Sequence, residues 1–385
     1  MLIKYLKIFI VVLLLFYQNP LYSKNNNIDE FNSENFSNYF SALLSYNNQK
    51  NIEALKFFKS SKLLINKHQF YFKKYVFSLI LEGKVDRAIH ELKYVFDQKN
   101  SDFFEAYLLL MLDSMKEGNF DKSKKYLTQL SKFKEYGTFE LIIYETLKGY
   151  SYLFENKKIL LNKKDTFGYL SLINKAFQSC YLNEDQTSSH FVNLINNAEV
   201  DYSRYIFFYI NYLVEQNKLE EIKKITNEID ILKSSLLISQ TKKWIDRNEL
   251  KKITQIFSCK NESDLLSEFF FLIGNLYTTE YNFEKSNFYL NISNYLNSKF
   301  KYNLTLLADN YYKNNNYNQT KKILNNFSKN DDIYYWHKII KKTEIIYDEL
   351  GEQESFNFIN LKFKQIKKPD IYILFDMGNI AKRLK

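Results

Sequence analysis

Residues 268–293 read EFFFLIGNLYTTEYNFEKSNFYLNIS and residues 304–327 read LTLLADNYYKNNNYNQTKKILNNF; the two segments are one pattern written twice. Gly274 falls on Ala308, Tyr277 on Tyr311, Phe283 on Tyr317, Ser286 on Thr320 and Leu290 on Leu324, each pair 34 residues apart. In each copy apolar residues recur every three or four positions, stop at a polar turn and resume, which predicts a helical hairpin. Two antiparallel helices approach closely only where small side chains meet, here Gly274 or Ala308 in the first helix and Ser286 or Thr320 in the second. One hairpin cannot bury such an apolar face alone, whereas a stack can.

The spacing extends outward from this pair. Ala88 follows Ala54 by 34 residues and Leu92 follows Phe58 by 34, with Gly83 marking the turn between helices. Ser123 lies 35 residues beyond Ala88, and Ser355 lies 35 beyond Thr320. A fixed period near 34 with helix, turn and helix in each unit resembles the tetratricopeptide repeat family. The resemblance is carried best by residues 268–327 and by the hairpin around Gly83. It implies an all-α fold, an α-solenoid of stacked antiparallel hairpins in a right-handed superhelix, with about ten pairs and a C-terminal capping helix. The expected divisions are a signal peptide at 1–23, a flexible leader at 24–33, N-terminal repeats at 34–133, degenerate helical repeats at 134–263 and C-terminal repeats with the cap at 264–385. Between Thr138 and Glu262 apolar periodicity continues without a clean offset. About four degenerate hairpins fit there, and a divergent helical insert is the alternative. Pro369 then stops the chain before a lone last helix, Ile371 to Arg383, with Gly378 at its middle and a basic end.

Composition agrees with the helical reading. The chain has 385 residues, 45% of them hydrophobic, with only 8 Gly and 2 Pro, too few for the many turns of a sandwich or barrel. The formal charge is +10. Lys, Asn, Ile, Tyr and Phe abound while Ala and Arg are scarce, the bias of A/T-rich coding, and the lysines are dispersed among acids as at Lys218 to Lys224. Solvated helix faces are expected rather than a phosphate-binding stripe. Lys4 and Lys7, the apolar run Ile8 to Tyr17, Pro20 and Ser23 have the order of a secretory signal peptide. An exported, bacterial and periplasmic protein is expected, with an uncleaved inner-membrane anchor as the alternative. Cys180 and Cys259, the only cysteines, are expected as two unpaired, buried thiols, although an oxidising compartment permits a disulfide.

No catalytic constellation is expected, and no metal or other cofactor. His68, His90, His190 and His337 lack metal-ligand spacing and no Gly-rich phosphate loop occurs. Cys180 with His190 reads as incidental. Asp331 and Asp332, ahead of the aromatic run Tyr334, Tyr335 and Trp336, read as a helix N-terminus.

The resemblance implies recognition of another protein or peptide, in a concave groove lined by first helices. Aligned with the family, the groove positions are Phe271, Asn275, Thr278, Tyr302, Thr305, Asp309 and Tyr312. The family's carboxylate clamp is not expected, because Lys73 occupies one of its positions but Phe77 stands where an Asn is needed. The expected function is a non-enzymatic scaffold binding a partner of the cell envelope. A helical-repeat nucleic-acid binder and a non-catalytic subunit of an envelope carbohydrate-handling complex are the alternatives.

Overall fold

The computed structural model describes residues 32–67, 69–95, 101–160, 167–196 and 203–383. The proposed signal segment, Met1 to Ser23, and most of the leader lie outside them. The described residues form 20 α-helices and no strand. They run α1 (Ser33–Asn47), α2 (Asn51–Ser60), α3 (Gln69–Leu81), α4 (Val85–Val95), α5 (Phe104–Lys116), α6 (Phe120–Leu130), α7 (Thr138–Asn156), α8 (Tyr169–Leu182), α9 (Thr187–Ile195) and α10 (Ser203–Glu215). There follow α11 (Leu219–Asn227), α12 (Leu236–Asp246), α13 (Lys251–Ile256), α14 (Glu262–Thr279), α15 (Phe283–Leu296), α16 (Asn303–Lys313), α17 (Tyr317–Leu324), α18 (Ile333–Leu350), α19 (Glu352–Lys364) and α20 (Ile371–Arg383). The fold is an all-α, tetratricopeptide-like solenoid. Nine hairpins are formed, with α7 and α20 standing as single helices.

One backbone device makes all nine turns. A residue of positive φ separates the two helices of each hairpin: Gln49, Gly83, Gly118, Asn183, Asn217, Asn248, Tyr281, Asn315 and Gly351. In the first eight, the amide just after that residue reaches back five residues to a helical carbonyl, as Lys84 N to Leu79 O at 2.8 Å and Asn282 N to Tyr277 O at 2.9 Å. That bond satisfies carbonyls the helix end leaves without a partner. Asn119, Asn282 and Asn316 then cap the next helix, each side chain accepting from the amide three residues on. The small crossing residues meet as their spacing requires: Ala42, Ala54, Ala88, Ser123, Ser286, Ala308, Thr320 and Ser355 are all fully buried. The turns at Asn183, Asn217 and Asn248 are 34 and 31 residues apart, and three short hairpins, α8 to α13, fill most of the degenerate stretch.

The expectation of two free thiols is corrected. Cys180, at the end of α8, and Cys259, just ahead of α14, are joined in a disulfide with Cα atoms 5.9 Å apart. Both are buried. Spacing alone does not show the pairing, because 79 residues separate them in sequence and α10 to α13 must fold between them before the two ends meet.

The array does not stay open. Helix α15 packs across α3 and α4, with the Phe77 and Phe288 rings stacked 4.5 Å apart. On the other side α10 and α12 lie against the first helices of the C-terminal repeats. Gln240 accepts from the Ile333 amide at 3.0 Å, and Lys243 bridges Asp332 at 3.6 Å and Asp370 at 2.8 Å. Asp332 is the residue ahead of α18, and it makes no side-chain cap; its carboxylate takes Lys243 and Arg247 instead.

Candidate functional site

Three first-helix surfaces were available as grooves, and the chain fills two of them itself. The N-terminal one is lined by α3 and α5, which are largely apolar and buried nearly all round. Such helices need neighbours on every face. Helices α15 to α17 supply them. Tyr46 Oη donates to Glu284 Oε1 at 2.5 Å, and Tyr311 Oη donates to the Leu81 carbonyl at 2.8 Å. Lys322 Nζ lies 2.6 Å from Glu82 Oε2, a carboxylate whose side chain is only 1% exposed and which also accepts from Gln319. Lys73, at the clamp-like position, is bound to Glu105 at 2.8 Å. Phe77 lies under Phe288.

The second surface lies over α14 and the start of α16. Arg204 of α10 reaches Glu268 with Nε at 2.9 Å and Nη2 at 2.6 Å, and Nη2 also donates to Asn303 Oδ1 at 2.9 Å. The guanidinium rests on the rings of Phe271, 3.8 Å away, and Tyr302, 4.8 Å away, a cation–π arrangement. Burial by itself lowers the pKa of this guanidinium, and the Glu268 carboxylate more than offsets that and holds it up. The fork fits a carboxylate with two parallel bonds, which a lysine would not do.

The third surface is open. A cavity of about 680 Å³ lies between α16, α18 and α20. Its floor is apolar and hydroxylic, with Ile340, Thr343 and Ile380; its rim carries three carboxylates, Asp309, Glu344 and Asp348, and three cations, Lys313, Lys341 and Arg383. Lys341 Nζ sits 3.0 Å from Asp309 Oδ1 and 2.6 Å from Glu344 Oε2, above the Tyr312 ring at 4.8 Å. Burial opposes its charge, but the two carboxylates raise its pKa above the ordinary lysine value. Tyr312 Oη donates to Asp348 Oδ2 at 2.7 Å, and Tyr317 Oη donates to the same oxygen at 3.1 Å. Burial, then Asp348, raises the Tyr312 pKa. His337, one turn before Lys341 on α18, has its pKa lowered by burial, against the pull of Asp309. Balanced charges over an apolar floor suit a peptide segment with its own polar backbone.

The structure therefore separates the seven groove positions read from the sequence. Asp309 and Tyr312 come together in the open cavity. Phe271 and Tyr302 lie beneath Arg204, and Thr305 is buried, its hydroxyl on the Tyr302 carbonyl. Thr278 joins two hairpins, 2.7 Å from Ser286 Oγ and 3.1 Å from Asn310 Nδ2. Asn275 is exposed. Glu344 and Tyr347, which also line the cavity, stand 35 residues beyond Asp309 and Tyr312, so continuing the repeat offset finds them. Nothing comparable marks Arg204, whose partner Glu268 is 64 residues away. Among the described residues no cluster of His, Cys, Asp or Glu has the arrangement to hold a metal ion. No described helix is long and apolar enough to cross a membrane.

No family model matches the chain. It is similar to reticulocyte-binding protein homolog 1 of Plasmodium falciparum, 26% identical over 285 residues that cover 64% of this chain and 9% of that protein. It is also similar to the cGMP-specific 3',5'-cyclic phosphodiesterase delta of the same organism, 27% identical over 190 residues, covering 44% of this chain and 22% of that one. The chain thus spans less than a quarter of either relative. Among solved structures it resembles yeast Tom70, at 12% identity and a TM-score of 0.25, over 91% of this chain and 81% of that one. A superposition that loose adds nothing to the fold seen directly, and neither relative overlaps enough to carry an activity.

Proposed function

We propose that the chain is a non-enzymatic binding scaffold that takes a peptide segment of another cell-envelope protein into the cavity between α16, α18 and α20. The observation that carries this reading is the cavity itself. It keeps a first-helix face open at the C-terminal end, while the corresponding faces elsewhere are filled by the chain's own helices. Tyr312, Lys341 and Asp348 supply rigid polar groups around an apolar floor, the composition of a recognition surface. Two features support the export half of this reading. Disulfides persist in oxidising compartments and are rare in the cytosol, and this chain joins its two cysteines; the order of residues 1–23 is that of a signal peptide.

The test is capture from envelope extract by the native chain beside a variant carrying Asp309→Ala and Tyr312→Ala, with circular dichroism on both. The expected result is a partner held by the native chain and lost from a folded variant. The same partner held equally by both would place binding elsewhere. N-terminal sequencing of the protein from cells is expected to begin near Lys24, and a cytosolic chain with residues 1–23 intact would overturn the export half.

A further inference from the structure

Lysines that lie scattered along the sequence are gathered by the fold into one place. A cavity of about 310 Å³ lies where α12, the turn ahead of α18, α19 and the start of α20 meet. It shares no residue with the cavity between α16, α18 and α20. Five cations reach it: Lys243 and Arg247 of α12, Lys329 of the turn, Lys362 of α19 and Lys368 of the segment ahead of α20.

Two carboxylates, Asp332 and Asp370, also line the cavity, and both are already engaged. Lys243 Nζ lies 3.6 Å from Asp332 Oδ1 and 2.8 Å from Asp370 Oδ2, and Arg247 Nη1 lies 3.2 Å from Asp332 Oδ1. Asp370 accepts in addition from the Ile373 amide at 3.0 Å. Lys329, Lys362 and Lys368 are left with no carboxylate partner among the described residues. The surplus is felt nearby: burial, and then the Lys362 and Lys321 charges, lower the pKa of Lys342, three residues past Ile339 of the cavity wall. Helices α18 and α20 begin at the cavity, and their positive dipole ends add to the same field. Asp332 has φ 50° and ψ −112°, backbone that glycine adopts freely and a residue with a side chain adopts only under strain. Strain of this kind concentrates at functional sites, and here it falls on the residue that holds Lys243 and Arg247. The remaining wall is apolar and aromatic, with Tyr335, Ile366 and Ile373.

We propose that this cavity binds a phosphate monoester of a small molecule, with the phosphate among Lys329, Lys362 and Lys368 and an apolar or ring body against Tyr335, Ile366 and Ile373. A phosphate carries close to two negative charges and three strong acceptor oxygens, which three ammonium groups meet as point charges. A carboxylate, with one charge and two oxygens, needs fewer. The volume lies at the small end of ligand cavities, which suits one small ester and not a helix or a folded partner. This inference stands apart from the peptide cavity of the preceding section.

The test is isothermal titration calorimetry of phenyl phosphate into the whole chain and into two triple variants, with circular dichroism on all three. One variant carries Lys329→Gln, Lys362→Gln and Lys368→Gln; the other carries Lys364→Gln, Lys367→Gln and Lys382→Gln, exposed lysines outside the cavity that remove the same charge. The native chain should bind one molecule. The first variant should weaken binding by about tenfold or more, and the second by less than about twofold. Inorganic phosphate and phenylacetate should each bind about tenfold or more weaker than phenyl phosphate to the native chain. No binding at millimolar phenyl phosphate, or equal loss in the two variants, would overturn the proposal. Equal affinity for inorganic phosphate would overturn it in favour of a bare anion, and equal affinity for phenylacetate in favour of a carboxylate ligand. Co-sedimentation with phosphatidic acid vesicles that the first variant abolishes and phenyl phosphate does not compete would overturn it in favour of a lipid headgroup.

Discussion

Gly274 and Gly378 occupy the same place in two first helices, and the same substitution should act on them with opposite sign. At Gly274 a methyl group would press on Leu290 and stand 3.2 Å from the Ser286 carbonyl, a backbone atom that cannot rotate aside. Overpacking costs about 1–3 kcal/mol and outweighs the gain of up to about 1 kcal/mol in helix propensity. Gly274→Ala is therefore expected to lower the urea midpoint. Gly378→Ala, with open space before it, is expected to raise stability by up to about 1 kcal/mol. Arg204 and Glu268 form a second residue-scale test. The Glu268 side chain is 1% exposed, so Arg204→Met should strand a buried carboxylate at about 3–5 kcal/mol. Pairing that change with Glu268→Leu should recover most of the loss, and a double variant as unstable as the single one would mean that ring packing, not charge, holds this place.

The helices themselves were the most legible part of the sequence, and the turns explain why legibility failed where it did. Gly83, Gly118 and Gly351 announce their turns. The turns of residues 134–263 use Asn183, Asn217 and Asn248 in the same left-handed conformation. Asn tolerates that conformation nearly as well as Gly, but in a chain this rich in Asn it stands out from nothing. The short second helices α9, α11 and α13 blur the offset further, and α7 has no second helix among the described residues. The disulfide could not be read at all, since it depends on these same hairpins bringing α8 to the start of α14. It closes a loop of 79 residues, which in the chain-entropy model is worth about 4 kcal/mol. Cys180→Ser with Cys259→Ser should therefore lower stability by up to that amount in urea unfolding, and reductant should affect the native chain only under conditions where this region opens, because both sulfur-bearing residues are buried.

At the scale of the whole molecule, the solenoid pattern specifies hairpins and neighbours but not how far the superhelix closes. Of the seven groove positions, Phe271 and Tyr302 were lost to Arg204 of α10, whose partner Glu268 is 64 residues away in sequence; no periodic pattern carries such a contact. The closure on the other side rests on Glu82. Lys322→Met removes its cation and should loosen the seam by about 1–3 kcal/mol, whereas Lys321→Met, which breaks an exposed pair with Glu349, should cost less than about 1 kcal/mol. Equal losses would show that Glu82 is not what joins the two ends.

The account depends most on the chain filling its own N-terminal groove while the cavity beside α20 stays open, and amide hydrogen exchange on the protein alone measures this directly. The amides of α15 and α3 are predicted to be among the slowest to exchange, with those of α20 much faster, and Lys322→Met should speed α15 selectively. If α15 exchanges as fast as α20 in the native chain, the array is open in solution, its N-terminal groove is free, and the assignment of the binding surface to α16, α18 and α20 is contradicted.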